Sequence, residues 1–157
     1  MLGVVIHTLH VMLAGGWLGG VAFTTFVVSP AFKAMKWSEV ERVGARSMVG
    51  RYFARVGGWN LGLLLLFAIA DGALGGFGVL FFVEYVLLAV LLVLAGAHGA
   101  YFRRKIAELA AAEAGAGSAG EAKSFAGQRR ALGKVSLMVS RLDLLVSVTI
   151  VALAVNA

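Results

Sequence analysis

Four long apolar stretches, separated by polar and charged connections, dominate the sequence. They cover about residues 2–29, 53–70, 77–102 and 135–155. A helix that crosses the hydrocarbon core of a bilayer needs roughly 17–25 predominantly apolar residues. The pattern therefore predicts an all-α protein, an integral membrane four-helix bundle that forms a single transmembrane domain over residues 1–157.

The first stretch contains no Lys, Arg, Asp or Glu before Pro30, the only proline in the chain. It is too long for a secretory signal and lacks a basic amino-terminal region, so we expect a permanent helix that ends near Pro30. Ser38 and Glu41 have the spacing of a capping box, which predicts a short helix at the membrane interface. The third helix is expected to continue through KIAELAAAEA and to break at GAGSAGE.

The positive charges predict the orientation in the membrane. Connections 31–52 and 103–134 are rich in Lys and Arg, whereas the 2–3 turn and both chain ends have none. By the positive-inside rule, both basic connections are cytoplasmic and both termini are outside, as in a multi-pass protein of the cell (inner) membrane. The net charge of +6 is explained in this way, and no nucleic-acid partner is expected. The absence of cysteine excludes thiolate metal sites and disulfides.

Four ionisable residues are predicted to meet near the outer surface. His7 and His10 share one face of helix 1 because they are three residues apart. Glu84 lies at nearly the same depth as His10, and Asp71 lies where helix 2 emerges. Imidazole and carboxylate ligands without sulfur suit Zn, Cu(II) or non-haem Fe. All four are therefore candidate metal ligands, with structural hydrogen bonding and proton handling as the alternatives.

A second group of polar residues is predicted nearer the cytoplasmic side: Asn60, His98, Arg141 and Asp143. We expect a polar intramembrane network here, which either fixes helix register or lines a transport site. Arg141 and Asp143 point apart on helix 4, so each is expected to pair with a different helix. His10 and His98 cannot ligate one haem within a chain, because their rings differ by roughly 20 Å in depth.

The glycines around Trp17 predict close helix packing. They form two small-xxx-small pairs, a pattern that lets helix backbones approach each other: Gly15 with Gly19, and Gly16 with Gly20. In the lipid bilayer we expect a homo-oligomer, since four helices are few for a transport path.

Several motifs resemble known membrane families. His10, Trp17 and Gly19, followed by FTTFVVSPAFKAM and RVGARSMVGRYFARVGGWNLGLLL, resemble the transmembrane-protein-205-like family of uncharacterised four-helix proteins. Ser136, Ser140 and RLDLL stand where that family's last helix carries its polar residues. The His10, Trp17 and Gly19 pattern is also similar to the copper-resistance D-type membrane domain and to the haem-containing protoporphyrinogen oxidase of bacteria.

The stretch LLVLAGAHGAYFRR is similar to helix 3 of that oxidase. This resemblance implies haem b as a cofactor, with His10 as the first ligand candidate and His98 as the second, which requires a dimer or two separate sites. In the haem-or-metal hypothesis, His7 and Glu84 support these ligands. Three functional hypotheses result. The protein binds haem or a divalent metal for electron transfer or redox sensing, it is a small oligomeric transporter or channel subunit, or it is a non-catalytic membrane scaffold.

Overall fold

A computed structural model describes residues Met1–Asn156, apart from the side chain of Glu39. Over the described residues the secondary structure is helical, with no β-strand. The six α-helices are α1 (Leu2–Phe23), α2 (Ser29–Ala34), α3 (Glu39–Gly75), α4 (Val79–Ala97), α5 (Arg103–Ala114) and α6 (Ala119–Asn156), and π-helical turns join α1 to α2 (Thr24–Val28) and α4 to α5 (His98–Phe102).

These helices make four rods that are long and apolar enough to cross a bilayer: span 1 (Leu2–Ala34), span 2 (Val40–Gly75), span 3 (Val79–Ala114) and span 4 (Ala119–Asn156). Spans 1 and 3 each pack against spans 2 and 4. Because the number of spans is even, both chain ends lie at one end of the bundle, called the terminal end below. The predicted all-α, four-helix membrane architecture is confirmed.

Span 1 continues past Pro30, where the sequence predicted its end. The five residues Thr24–Val28 form a π-helical turn, and Pro30 then occupies the first turn of α2. Proline lacks a backbone N–H and its ring collides with the preceding helical turn, so a locally widened turn allows the chain to pass without stopping. The helix ends instead at Met35, whose backbone is extended.

The predicted capping box is present, but the helix that it starts is not short. The Ser38 hydroxyl accepts the Glu41 backbone N–H, and the Glu41 carboxylate accepts the Ser38 N–H. From there α3 runs without interruption to Gly75, so the predicted interfacial helix is the first part of span 2. Nothing in residues 39–52 breaks a helix, and a solvated charged face does not end one.

The turns between the other spans are also shorter than predicted. The α3 helix includes Asp71 and ends at Gly75, and the next residue, Gly76, has a φ of +92° that favours glycine. The predicted continuation of span 3 is confirmed up to Ala114. The chain breaks only at Gly115–Ser118 before α6 begins, well ahead of residue 135.

The bundle interior is apolar over most of its length. Leu64, Leu88, Leu91 and Ile150 are almost fully buried and form its centre. Large apolar side chains are also exposed along all four spans, as expected where a helix faces lipid rather than water. Within this apolar interior, the indole N–H of Trp17 in span 1 donates a hydrogen bond to the hydroxyl of Ser147 in span 4, at 3.0 Å.

Candidate metal site

The centre of the candidate site is His10, whose imidazole is completely buried between two carboxylates. Its Nε2 lies 2.7 Å from Oε1 of Glu84, and its Nδ1 lies 3.1 Å from Oδ2 of Asp71. His10 belongs to span 1, Asp71 to span 2 and Glu84 to span 3. The imidazole therefore links three spans, as expected from their similar depth.

His7 connects this buried group to the surface at the terminal end. It lies one helical turn before His10, and its Nδ1 is 2.8 Å from the same Oδ2 of Asp71. The side chain of His7 is 38% exposed, whereas those of Asp71 and His10 are 9% and 0% exposed. Solvent therefore reaches the cluster only past His7 and the edge of Asp71.

Three of these side chains bring potential metal-ligand atoms close together. One nitrogen each from His7 and His10 and one oxygen from Asp71 lie within 4.8 Å of one another. Glu84 contacts Nε2 of His10, on the side of the ring opposite Nδ1, and so fixes the orientation of the imidazole. A carboxylate that accepts the second N–H of a ligating histidine is the usual outer partner at metal sites, because it fixes the tautomer and orientation of the ring.

The second oxygen of Glu84 is an exception to the rule that buried polar atoms have partners. Glu84 is completely buried, yet Oε2 has no hydrogen-bond donor within the described structure. Such an atom is costly in an apolar interior. The cluster is thus richer in acceptors than in donors, which favours a proton or a metal cation as the missing component.

Tyr85 and Gly72 fix the neighbouring backbone. The Tyr85 hydroxyl donates to the carbonyl of Ala68 at 3.0 Å, which fastens span 3 to span 2 one residue after Glu84. A Cβ on Gly72 would lie 2.5 Å from the Tyr85 oxygen, so only glycine fits beside Asp71. The roles of Tyr85 and Gly72 were not predicted from the sequence, although an aromatic hydroxyl next to an intramembrane carboxylate was a usable signal.

Comparison with protein-family models identifies the family of the chain. The model described as "Domain of unknown function (DUF4149)" matches residues 12–114, which is more than half of the sequence. The chain belongs to this family.

Asp71 and Glu84 lie inside the matched segment, whereas His7 and His10 precede it. Searches among curated proteins and among solved structures found no match. Resemblance to the transmembrane-protein-205-like family stays a prediction.

In this DUF4149 protein the second predicted group is not joined into a network. Among the described residues, no hydrogen bond or ion pair links Asn60, His98, Arg141 and Asp143 to one another. Arg141 is exposed, His98 contacts the ring of Phe102, and one oxygen each of Asn60 and Asp143 is buried without a partner. The four residues share a depth range but face different directions around their helices.

The predicted packing glycines divide into two faces. A Cβ on Gly20 would lie 2.8 Å from the ring of Phe53, and one on Gly16 would contact the amide of Asn60 at 3.4 Å. These two glycines therefore allow α1 and α3 to approach closely. Gly15 and Gly19 have open space beyond them, so they do not pack within one chain. Their role in a homo-oligomer stays a prediction.

The geometry around His10 is unfavourable for the haem-ligand role that the oxidase resemblance implied. Both of its ring nitrogens are in contact with carboxylate oxygens, and the ring is fully buried. An axial haem ligand needs one nitrogen facing an open planar cavity, and this position offers none. His98 belongs to another layer of the bundle and does not approach His10.

Proposed function

We propose that this protein binds a divalent transition-metal ion at the terminal end of its bundle. The ligands are nitrogens of His7 and His10 and a carboxylate oxygen of Asp71, and Glu84 orients His10. The observation that carries the proposal is the convergence of these three donor atoms within 4.8 Å. They come from two spans and are held by contacts of 2.7–3.1 Å.

The donor chemistry selects the class of metal. Two imidazole nitrogens and one carboxylate oxygen suit Zn²⁺, Fe²⁺ or Cu²⁺, whereas Ca²⁺ and Mg²⁺ prefer all-oxygen sites. Three protein ligands leave at least one coordination position for water or a small molecule. A redox-active ion in this set would supply one-electron chemistry, which connects the site to an electron-transfer or redox-sensing role.

Charge balance supports the same assignment. Two carboxylates, Asp71 and Glu84, lie against one buried imidazole in the interior of a membrane protein. Buried charges need compensation, because removing them from water costs several kcal/mol each, on the order of the stability of the whole fold. A proton on His10 compensates one carboxylate, and a divalent cation compensates both. The site therefore suits a cation more than a neutral ligand.

The location of the cluster supports binding from one side rather than passage through the bundle. Span 3 continues from Glu84 to the fully buried Leu88 and Leu91, and these pack with Leu64 and Ile150. Orientation by the positive-inside rule directs the metal site to the outside of the cell membrane, opposite the basic connections. The transporter hypothesis is one outcome of the experiment below.

Metal titration of the purified protein tests the proposal. After chelator treatment, the full chain in detergent is titrated with Zn²⁺, Fe²⁺ and Cu²⁺, and bound metal is quantified by mass spectrometry. We expect about one ion per chain and an affinity at least about 100-fold lower in H7A and D71N, since each change removes a ligand. The matched control is H98A, which removes the one histidine outside the cluster.

Three results would contradict the assignment. Binding that is equally weak in the wild type and in D71N would mean that the cluster does not hold metal. Loss of binding in H98A but not in H7A would move the site to the opposite end. If no metal binds but ion flux in liposomes depends on Glu84, the transporter hypothesis replaces this one.

A further inference from the structure

The opposite end of the bundle holds a second feature, an arginine without an anion. Arg103 begins α5 in span 3, and its guanidinium lies against the backbone of span 2 at Gly50. A Cβ on Gly50 would be 3.2 Å from Cδ and 3.5 Å from a terminal nitrogen of Arg103. The absence of a side chain at Gly50 is therefore what admits the arginine between the two spans.

That terminal nitrogen, Nη1, is buried and has no hydrogen-bond acceptor within the described structure. Arginine keeps its charge under all ordinary conditions, so burial cannot be relieved by losing a proton. A buried cationic donor without an acceptor carries a large desolvation cost. An anion or an ordered acceptor beside this half-buried side chain would offset that cost.

Within the described part of the chain, no acidic side chain pairs with Arg103. Each acidic side chain described at this end already has another partner: Glu41 accepts from Ser38, Glu108 from Arg104 and Lys105, Glu113 from Arg129, and Glu121 from the backbone N–H of Gly117. Asp143 lies several helical turns nearer the chain termini. Nη1 of Arg103 is therefore left available to an acceptor from outside the described chain.

Two exposed tyrosines indicate the depth of the site. Tyr52 follows Gly50 by two residues, Tyr101 precedes Arg103 by two, and both are more than half exposed. Tyrosine is enriched at the level of the lipid headgroups, where its ring is apolar and its hydroxyl is hydrated. Arg51 and Arg104 beside them are also exposed. The Arg103 guanidinium therefore lies at headgroup depth in a basic environment.

We propose that the Arg103 guanidinium, held against Gly50, binds the phosphate of an anionic phospholipid headgroup. The planar guanidinium matches two phosphate oxygens, which is the arrangement in which arginine binds phosphate most strongly. The surrounding positive charge favours an anionic lipid over a zwitterionic one. This site is separate from the metal cluster, and neither proposal depends on the other.

Lipid titration of the full-length protein in detergent tests this inference. Phosphatidylglycerol is added, with phosphatidylcholine as the zwitterionic comparison, and bound lipid is counted by native mass spectrometry. We expect R103Q to bind phosphatidylglycerol about tenfold or more weakly, since a charged hydrogen-bond partner is lost. R104Q is the matched control: it loses the same charge one residue away, from an exposed side chain that pairs with Glu108.

A second variant separates geometry from charge. G50L keeps every positive charge but fills the space occupied by the guanidinium, so it should weaken phosphatidylglycerol binding as R103Q does. Circular dichroism and gel filtration verify that each variant is folded. Equal losses in R103Q and R104Q would overturn the inference, as would wild-type protein that does not distinguish the two lipids. Displacement of the lipid by millimolar inorganic phosphate would overturn the lipid assignment in favour of a soluble phosphate.

Discussion

The contact between Glu84 and His10 leads to a quantitative prediction about stability. Both side chains are completely buried, and their nearest atoms are 2.7 Å apart. We compare two substitutions at Glu84 of similar size. E84Q retains an oxygen that accepts the His10 N–H, whereas E84L leaves that N–H in an apolar interior without an acceptor.

The magnitudes follow from what each change removes. E84Q exchanges a hydrogen bond to a charged acceptor, worth about 1.5–3 kcal/mol, for a neutral one worth about 0.5–1.5 kcal/mol. The expected cost is therefore about 1 kcal/mol. E84L removes one partner of a buried pair, for which the cost is about 3–5 kcal/mol. The two variants should differ by roughly 2 kcal/mol or more, with E84L the less stable.

Equilibrium unfolding in mixed detergent micelles, with a chelator present, measures these differences without a contribution from metal. V83A is the control, because Val83 neighbours Glu84 in sequence but faces outward; it should change stability by less than about 0.5 kcal/mol. An E84L protein as stable as E84Q would refute the reasoning, since His10 would then not depend on Glu84 as an acceptor. In the metal titration, E84Q should bind about 10–100-fold more weakly than the wild type.

Three further predictions concern the packing of the spans and are measured by the same unfolding assay. G57A should destabilise the protein by about 1–3 kcal/mol, because its Cβ would lie 2.8 Å from Cζ3 of Trp17, whereas G58A meets open space and should be neutral or slightly stabilising. S147A leaves the Trp17 indole N–H without its acceptor and should cost about 1–3 kcal/mol. D143N should increase stability by up to about 1 kcal/mol, because a buried Asp143 oxygen has no partner in the described structure; a loss of more than about 1 kcal/mol would indicate a missing cation.

The proximity of His7, His10, Asp71 and Glu84 was predictable from the sequence. Two simple rules were sufficient to bring them together. Residues three apart share a helix face, which joined His7 to His10. Counting residues from the ends of parallel spans gave His10 and Glu84 the same depth. An error in the extent of α3 did not matter, since Asp71 stays at the terminal end whether it lies in a turn or in the last turns of a helix.

The predicted network of Asn60, His98, Arg141 and Asp143 is not formed. Its prediction rested on depth in the membrane, and depth alone does not specify how each residue is rotated about its helix axis. Asn60, Arg141 and Asp143 were assigned to one layer by counting, but their directions depend on how the helices pack. The sequence gives this packing only through the glycines, and only Gly16 and Gly20 of the four predicted glycines face another span. The Trp17–Ser147 contact was missed for the same reason, since Ser147 is an ordinary small residue in an apolar run.

The positions of the helix ends were also predicted wrongly, because the predicted helices were too short. Charged segments rich in Ala, Glu, Arg and Leu were interpreted as connections because they are not apolar enough for the membrane interior. The same residues are good helix formers, so each span is longer than its predicted apolar stretch. The real breaks occur where the backbone needs special freedom, as at Gly76 with its positive φ.

The distribution of polar groups along the bundle axis favours a binding role over a transport role. His7, His10, Asp71 and Glu84 occupy the terminal end, the arginines and lysines lie toward the other, and Leu64, Leu88, Leu91 and Ile150 are packed in the apolar core. A hydrated cation has no polar path across such a layer, and moving a charge into it costs at least about 2.5–3.5 kcal/mol. A cation bound by His7, His10 and Asp71 would therefore leave by the route through which it entered, past the exposed edge of His7. Exchange with one side only is what a sensor or a metal-dependent redox site requires, and it is the property that the metal titration and the liposome flux assay together distinguish from transport.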